Sequence, residues 1–320
     1  MKKLMSCILI ISIVIMAACG SGKGNKEERT VRINCHDVYA ATTLLVMKEY
    51  KILEKYLPEN VKVEWVELAT GPDIRDAMVS GNLDIADLSL MTFIMGYENK
   101  LPLKLVSYMG ATPIKVYSNS ESINSVSDIG TNDKIAITNK TTTLHAAFLG
   151  LCEDKLGDAM IYDNNLSAVP AADALASISN SDDYKAAIFS FPNCSKAEEL
   201  DNVKLLEDMS DVIEKYSVGA ASVSSSEFYD NNKDIIEAYK KAQDDVLNYI
   251  EENTDEVSVF LAERFGVSAE LVKEVIETMP PSKFVNNYDL QAKLLYDNGI
   301  LTSEPTKFIE LENYDEIPME

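Results

Sequence analysis

From residue 31 onward, short runs of alternating apolar residues take turns with stretches of helical apolar spacing, and this rhythm restricts the fold most. Val31, Ile33 and Cys35 alternate with polar neighbours as a half-buried strand does, and residues 42–56 then carry apolar side chains at helical spacing. Val61, Val63 and Trp65 predict a second strand. Residues 72–79 predict a short helix, with Pro72 in its first turn and Gly81 beyond its end. A third strand over 83–87 and a helix over 92–97 follow. Strands separated by helices pair in parallel through right-handed crossovers, so the chain opens as an α/β protein.

Two extended segments, 103–108 and 114–117, flank Gly110 and Pro113. The alternation then restarts with a strand over 134–138, helices over 142–155 and 171–178, and a strand over 186–189. After a last strand over 218–223 the pattern is nearly all helical: 234–252, 255–265, 269–278 and 290–298. Ile235, Tyr239, Ala242, Val246 and Ile250 form one apolar stripe, so the longest helix packs on something. Two βα blocks and a closing helical segment predict two lobes, residues 30–112 plus 222–320 and residues 113–221, with crossings near 107–118 and 216–223.

The first residues carry a different message. Lys2-Lys3, an apolar run over 4–15, and Met16-Ala17-Ala18-Cys19-Gly20 have the order of a signal peptide, with small residues before a cut. The cysteine directly after two alanines resembles the bacterial lipoprotein box, which implies removal of residues 1–18 and lipidation of Cys19. The apolar run is shorter than the ~20 residues of a spanning helix. Residues 20–29 lack any apolar side chain, so 19–29 read as a tether with a reach of roughly 15–20 Å. The chain is then expected on the extracytoplasmic face of a membrane. Gly20, Gly22 and Gly24 follow no strand and open no helix, so they make no dinucleotide loop.

The formal charge is −23, and loss of Lys2 and Lys3 with the signal takes it to −25. Such a body repels phosphate backbones, which argues against nucleic acid as a partner. Cys35, Cys152 and Cys194 remain, an odd number at spacings that match no zinc or redox motif. One disulfide among them stays open. There is no nucleophile elbow, HExxH or P-loop.

Thr70-Gly71-Pro72-Asp73-Ile74-Arg75-Asp76-Ala77-Met78-Val79-Ser80-Gly81-Asn82-Leu83-Asp84-Ile85 resembles a pattern of the nitrate, sulfonate and taurine solute-binding proteins of ABC importers, the SsuA/TauA-type or NMT1/THI5-like family. Pro102-Leu103-Lys104-Leu105-Val106, the residues Ile123 to Gly130, and Lys134-Ile135-Ala136-Ile137 continue the resemblance in order. Ala238 to Asn253 and Gly266-Val267-Ser268 resemble the family's terminal helices, so the match runs from about residue 30 to 280. The chain departs from the pattern at Gly130-Thr131-Asn132-Asp133, where the family often has Gly-Lys, and over Asp182 to Ala187; Phe191-Pro192 keeps the end of the latter segment. The resemblance implies a type II periplasmic-binding-protein fold of two α/β lobes joined by a two-strand hinge. It also implies binding of a small solute without catalysis, and delivery to an ABC permease and its ATPase. The chain is expected as a monomer with no cofactor and no metal. Binding of a thiamine-precursor pyrimidine is the alternative, and an enzyme on the same scaffold a further one. The pyrimidine-synthesis relatives, however, carry a cysteine-rich iron-binding run that this sequence lacks.

Ligands of open α/β sheets sit beyond the carboxyl ends of the strands. That rule selects Cys35, His36, Asp37 and Tyr39 after the first strand, Thr70 and Gly71 after the second, and Ser89 and Thr92 after the third. In the second lobe it selects Thr141, Thr142, Thr143 and His145, then Phe191, Pro192 and Asn193, with Gly110 at the first crossing. Hydroxyls and free amides at a helix N-terminus suit an anionic oxygen, such as a sulfonate, carboxylate or nitrate. Each Ser or Thr can equally be a helix cap. His36 and His145 read as pocket hydrogen-bonders; a metal site built with Cys35 and Asp37 has no spaced ligand pair behind it. Tyr117 and Phe93 serve as cleft or core, and Lys115 reads as a solvated strand residue.

Overall fold

The structure, a computed structural model, describes residues 27–68 and 71–318. The proposed signal peptide, the lipidation site Cys19, most of the tether, and Thr70 lie outside the described residues.

Among the described residues ten strands make two five-stranded sheets. The first holds β1 (Arg29–Asn34), β2 (Val61–Val66), β3 (Ile85–Ser89) and β4 (Leu103–Gly110). The second holds β5 (Ile114–Ser118), β6 (Ile135–Ile137), β7 (Leu166–Ala168), β8 (Ala186–Ser190) and β9 (Lys204–Asp208). The chain then returns to the first sheet with β10 (Ala220–Ser225). The orders are β2-β1-β3-β10-β4 and β7-β6-β8-β5-β9. The strands β1, β2 and β3 are parallel, as are β6, β7 and β8, in line with the alternation. The exceptions are β10, antiparallel to β3 and β4, and β5, antiparallel to β8 and β9. Both are the first strands after a crossing, so each enters its sheet from the opposite end.

The helices are α1 (Thr42–Glu49), α2 (Gly71–Val79), α3 (Leu90–Glu98), α4 (Thr143–Leu156), α5 (Ala171–Asn180), α6 (Asn193–Glu198), α7 (Ser210–Lys215), α8 (Ser226–Asn231), α9 (Lys233–Glu252), α10 (Thr254–Phe265), α11 (Ala269–Thr278) and α12 (Tyr288–Asp297). The single helix expected over 42–56 breaks after Glu49, because Lys51 turns left-handed (φ 50°) and the chain resumes as a short 3-10 turn at Leu53–Lys55. The short elements β7, β9, α6 and α7 carry too few residues to show a period and were not expected.

The stripe from Ile235 to Ile250 is buried. On the same helix, buried Gln243 accepts from the Ser107 hydroxyl at 2.5 Å and donates to the Tyr108 carbonyl at 2.8 Å, docking α9 on β4. The helix α12 touches α3 and α4, and so bridges the two lobes. Two α/β lobes joined by two crossings, with a helical C-terminal segment, constitute the periplasmic-binding-protein fold. Cys35, Cys152 and Cys194 are all buried free thiols. Among the described residues no helix is long and apolar enough to cross a membrane.

Candidate functional site

At the carboxyl end of β3, Ser89 is the N-cap of α3. Its hydroxyl oxygen accepts the Thr92 N–H at 3.0 Å and lies 2.7 Å from the Thr92 hydroxyl. The Thr92 hydroxyl donates to the Thr141 carbonyl at 2.8 Å. Its one proton is thereby committed, so the Ser89 hydroxyl donates to Thr92. Thr92 belongs to the first lobe and Thr141 to the loop after β6 in the second, so this bond joins the lobes.

Thr141 is held in an unusual shape. Its φ is 65°, a left-handed conformation that costs a non-glycine residue about 1–2 kcal/mol. The Thr141 N–H donates to His145 Nδ1 at 3.1 Å, worth about 1 kcal/mol, so strain and bond are of similar size. The His145 ring is 4% exposed, and its Nε2 stands 3.4 Å from Asp163 Oδ1. The other Asp163 oxygen accepts from Lys140 at 2.9 Å. Burial lowers the His145 pKa against the pull of Asp163, and Lys140 adds to the lowering. The Thr142 hydroxyl donates back to the Asn139 carbonyl at 3.0 Å and makes no cap bond; Thr143 opens α4.

A second cluster forms behind β1. Asp87, buried on β3, accepts from Asn34 Nδ2 at 2.5 Å and sits 3.1 Å from His36 Nδ1. Asn34 Oδ1 accepts the Leu68 N–H at 3.0 Å, which fixes the amide. Burial opposes charge on His36, yet Asp87 outweighs it, with help from Asp37 and Glu67, and the pKa is raised. The loop after β1 therefore holds the His36 ring against a buried carboxylate that favours its protonated form.

Other expected residues are placed elsewhere. The Cys35 thiol lies in the apolar core, its pKa pushed up to about 12 by burial. Asp37 turns to Arg264, with contacts of 2.6 and 2.9 Å. Tyr39 packs edge-on against Phe191 at 5.4 Å, and both rings meet Phe265. Phe93 and Tyr117 are buried. Lys115 is bound by Glu198 at 2.7 Å rather than solvated. Gly110 and Phe191 border a cavity of about 730 Å³ at the crossings, and not the groove at Thr92. Pro192 and Asn193 lead into α6, and Gly71 opens α2.

That groove, about 340 Å³, is lined by Thr92 and Thr141, by the apolar Leu88, Met95, Leu101 and Leu103, and by Arg75, whose charge is met by adjacent Asp76 at 3.0 Å. Sequence reasoning missed Asp87, Asp163 and Arg75 as site residues. An acid inside the apolar run Ile85-Ala86-Asp87-Leu88 was a usable signal; Asp163, in a loop far along the chain, gave none. Among the described residues no cluster could hold a metal ion.

No family model matches this sequence, and no curated protein matches it. Solved structures do. The periplasmic aliphatic sulphonate binding protein SsuA of Escherichia coli is 19% identical with a TM-score of 0.71, over 90% of this chain and 100% of that one. The alkanesulfonate-binding protein SsuA of Xanthomonas axonopodis, bound to MOPS, is 19% identical with a TM-score of 0.73, over 90% and 98%. The Candida albicans CA3427 gene product, described as having the generic periplasmic binding protein fold, is 14% identical with a TM-score of 0.70, over 92% and 98%. The chain shares their fold along nearly its whole length.

Proposed function

We propose that this protein is the extracytoplasmic solute-binding component of an ABC importer, and that it captures a small anion, of the sulfonate, nitrate or carboxylate class, between its lobes. The observation that carries the reading is the Thr92–Thr141 bond, which brings the N-termini of α3 and α4 together from opposite lobes. The amides of two converging helix starts attract negative charge. On the first-lobe side the groove also carries the Arg75 guanidinium, paired with Asp76. The similar solved proteins that bind sulfonates support this choice of solute class.

In this reading the lobes are residues 30–112 with 222–320, and 113–221. Ser89, Thr92, the 141–143 loop and His36 contact the solute, directly or through bound water. The solute stabilises closure by touching both lobes, and the closed form is passed to a permease and its ATPase. Lipidation at Cys19 moors the protein, which works as a monomer without a cofactor, and it binds rather than transforms its solute.

Native mass spectrometry of the freshly purified protein, followed by a thermal-shift panel of sulfonates, nitrate, carboxylates and a pyrimidine, tests the reading. An anion at a hundredfold excess over its dissociation constant should stabilise by about 2.7 kcal/mol. Stabilisation by the pyrimidine alone, or turnover of a bound compound, would replace it.

A further inference from the structure

We infer that His145 is a positioning residue for lobe closure: through Nδ1 it fixes the turn at Thr141 whose carbonyl oxygen receives the Thr92 hydroxyl from the other lobe. The inference rests on the reading that the lobes close around a solute, and assigns His145 a role other than solute contact.

Three observations carry it. Thr141 holds a left-handed backbone (φ 65°) that a β-branched residue does not adopt unaided. The bond that restrains it is the 3.1 Å contact from its N–H to His145 Nδ1. The ring is buried on the first turn of α4, which holds Nδ1 in place as the acceptor. An imidazole nitrogen accepts a hydrogen bond only while it carries no proton. The neutral ring therefore keeps its proton on Nε2, toward Asp163, and leaves Nδ1 for Thr141. A second proton would set two N–H groups against each other at this distance.

The surroundings favour the neutral ring. α4 packs on α3, α7, α12 and β8. Those elements bring Glu98; Asp211, Glu214 and Lys215; and Asp289, Lys293 and Asp297, with no charge on β8. The charged groups that act on the ring are Asp163 and Lys140, and Lys140 takes up half of Asp163. Protonation of His145 thus frees the Thr141 turn, and the lobe contact opens with it.

The test uses the full chain in detergent, as wild type, His145→Asn and His145→Leu. Asparagine presents Oδ1 near the position of Nδ1, whereas leucine fills the space without an acceptor. Hydrogen exchange is followed over residues 89–95 and 138–146, together with affinity for methanesulfonate, taurine, nitrate and benzoate. In His145→Leu both segments should exchange about tenfold faster and the best anion should bind about tenfold more weakly, the worth of one hydrogen bond. His145→Asn should keep both properties. Wild type should lose protection as pH falls below the ordinary histidine value of 6.5, while His145→Asn should not. Equal behaviour of the two variants, or wild-type protection that stays unchanged while NMR shows the His145 ring taking up its second proton, overturns the inference. If His145→Leu does not fold, His145→Asn and the wild-type pH series decide. Exchange as expected with no anion bound rejects the solute class alone; anion binding without the exchange pattern rejects the positioning role alone.

Discussion

Gly219 lies directly against the Tyr108 side chain: a Cβ at residue 219 would stand 2.0 Å from the Tyr108 hydroxyl oxygen and 2.4 Å from the Gly110 carbonyl oxygen. The two crossings between the lobes touch here, and the Gly219 carbonyl also accepts the Leu90 N–H at 2.9 Å. Backbone bounds the space on one side, so no rotamer change can admit a methyl group. Gly219→Ala should destabilise the protein by about 2–3 kcal/mol, at the upper end of overpacking. Thermal denaturation should show Tm lower by roughly 4–10 °C. An unchanged Tm would mean that the crossings do not approach as described.

The same region marks where the sequence stopped being readable. The sequence pattern identified all the strands except β7 and β9, but it carries no direction, and β5 and β10 run against the parallel expectation. The last strand begins at Ala220 rather than at 218, since Gly219 is committed to Tyr108. One helix cap was readable: Ser89 and Thr92 were chosen for their place after a strand, and Ser89 does cap α3 through the Thr92 N–H. The lobe contact they make could not be read, because it depends on the left-handed turn at Thr141 and on His145 beneath it. Asp37 was misjudged for a related reason, as its partner Arg264 lies at the end of α10, more than two hundred residues away.

Thr92→Val removes the hydroxyl that links Ser89 to Thr141 while keeping the side-chain volume. One interlobe hydrogen bond is lost, and the half-buried Ser89 hydroxyl loses its acceptor. Affinity for the stabilising anion should fall about tenfold, corresponding to about 1–1.5 kcal/mol, with the circular dichroism unchanged. Calorimetric titration measures this, and unaltered affinity removes Thr92 from the closing contact.

Asp87→Asn preserves shape and the acceptor for Asn34 but withdraws the charge beside His36. In the wild type the His36 pKa is raised above 6.5 by Asp87 against burial. The pair therefore adds stability that is fully present below pH 6.5 and is lost as pH rises through the raised value. In Asp87→Asn the ring midpoint should move down, and the stability difference between the proteins should be largest below pH 6.5. Histidine ring titration by NMR, with only two histidines in the chain, and unfolding curves across pH 5–9 read both effects. A midpoint that stays where it was would show that Asp87 does not set the charge on His36.

Phe191 joins the lobes by packing rather than by hydrogen bonding, with Tyr39 at 5.4 Å and Phe265 at 6.0 Å, both belonging to the first lobe. Phe191→Ala should cost about 3–5 kcal/mol through lost burial and an unfilled cavity, and Phe191→Leu should cost much less. Urea titration would separate the two, and a near-neutral alanine variant would contradict the close packing of this trio.

The three cysteines among the described residues, Cys35, Cys152 and Cys194, supply a check that does not depend on any solute. Cys35 and Cys152 have their thiol pKa pushed up to about 12, and Cys194 to about 11, in each case chiefly by burial. A thiol reacts as its thiolate, so at pH 8 these groups are both hidden and almost wholly protonated. An aromatic disulfide reagent should find essentially none of them in the native protein. In denaturant without reductant all three should titrate promptly, since none is committed to a disulfide. Slow native labelling should then track opening of the fold, and should slow further when the lobes are held closed by a bound anion. Cys194, one turn from the Phe191 contact and beside the cavity at the crossings, should be the first to react; rapid reaction at Cys152, deep in α4, would show that the second lobe opens independently of the hinge.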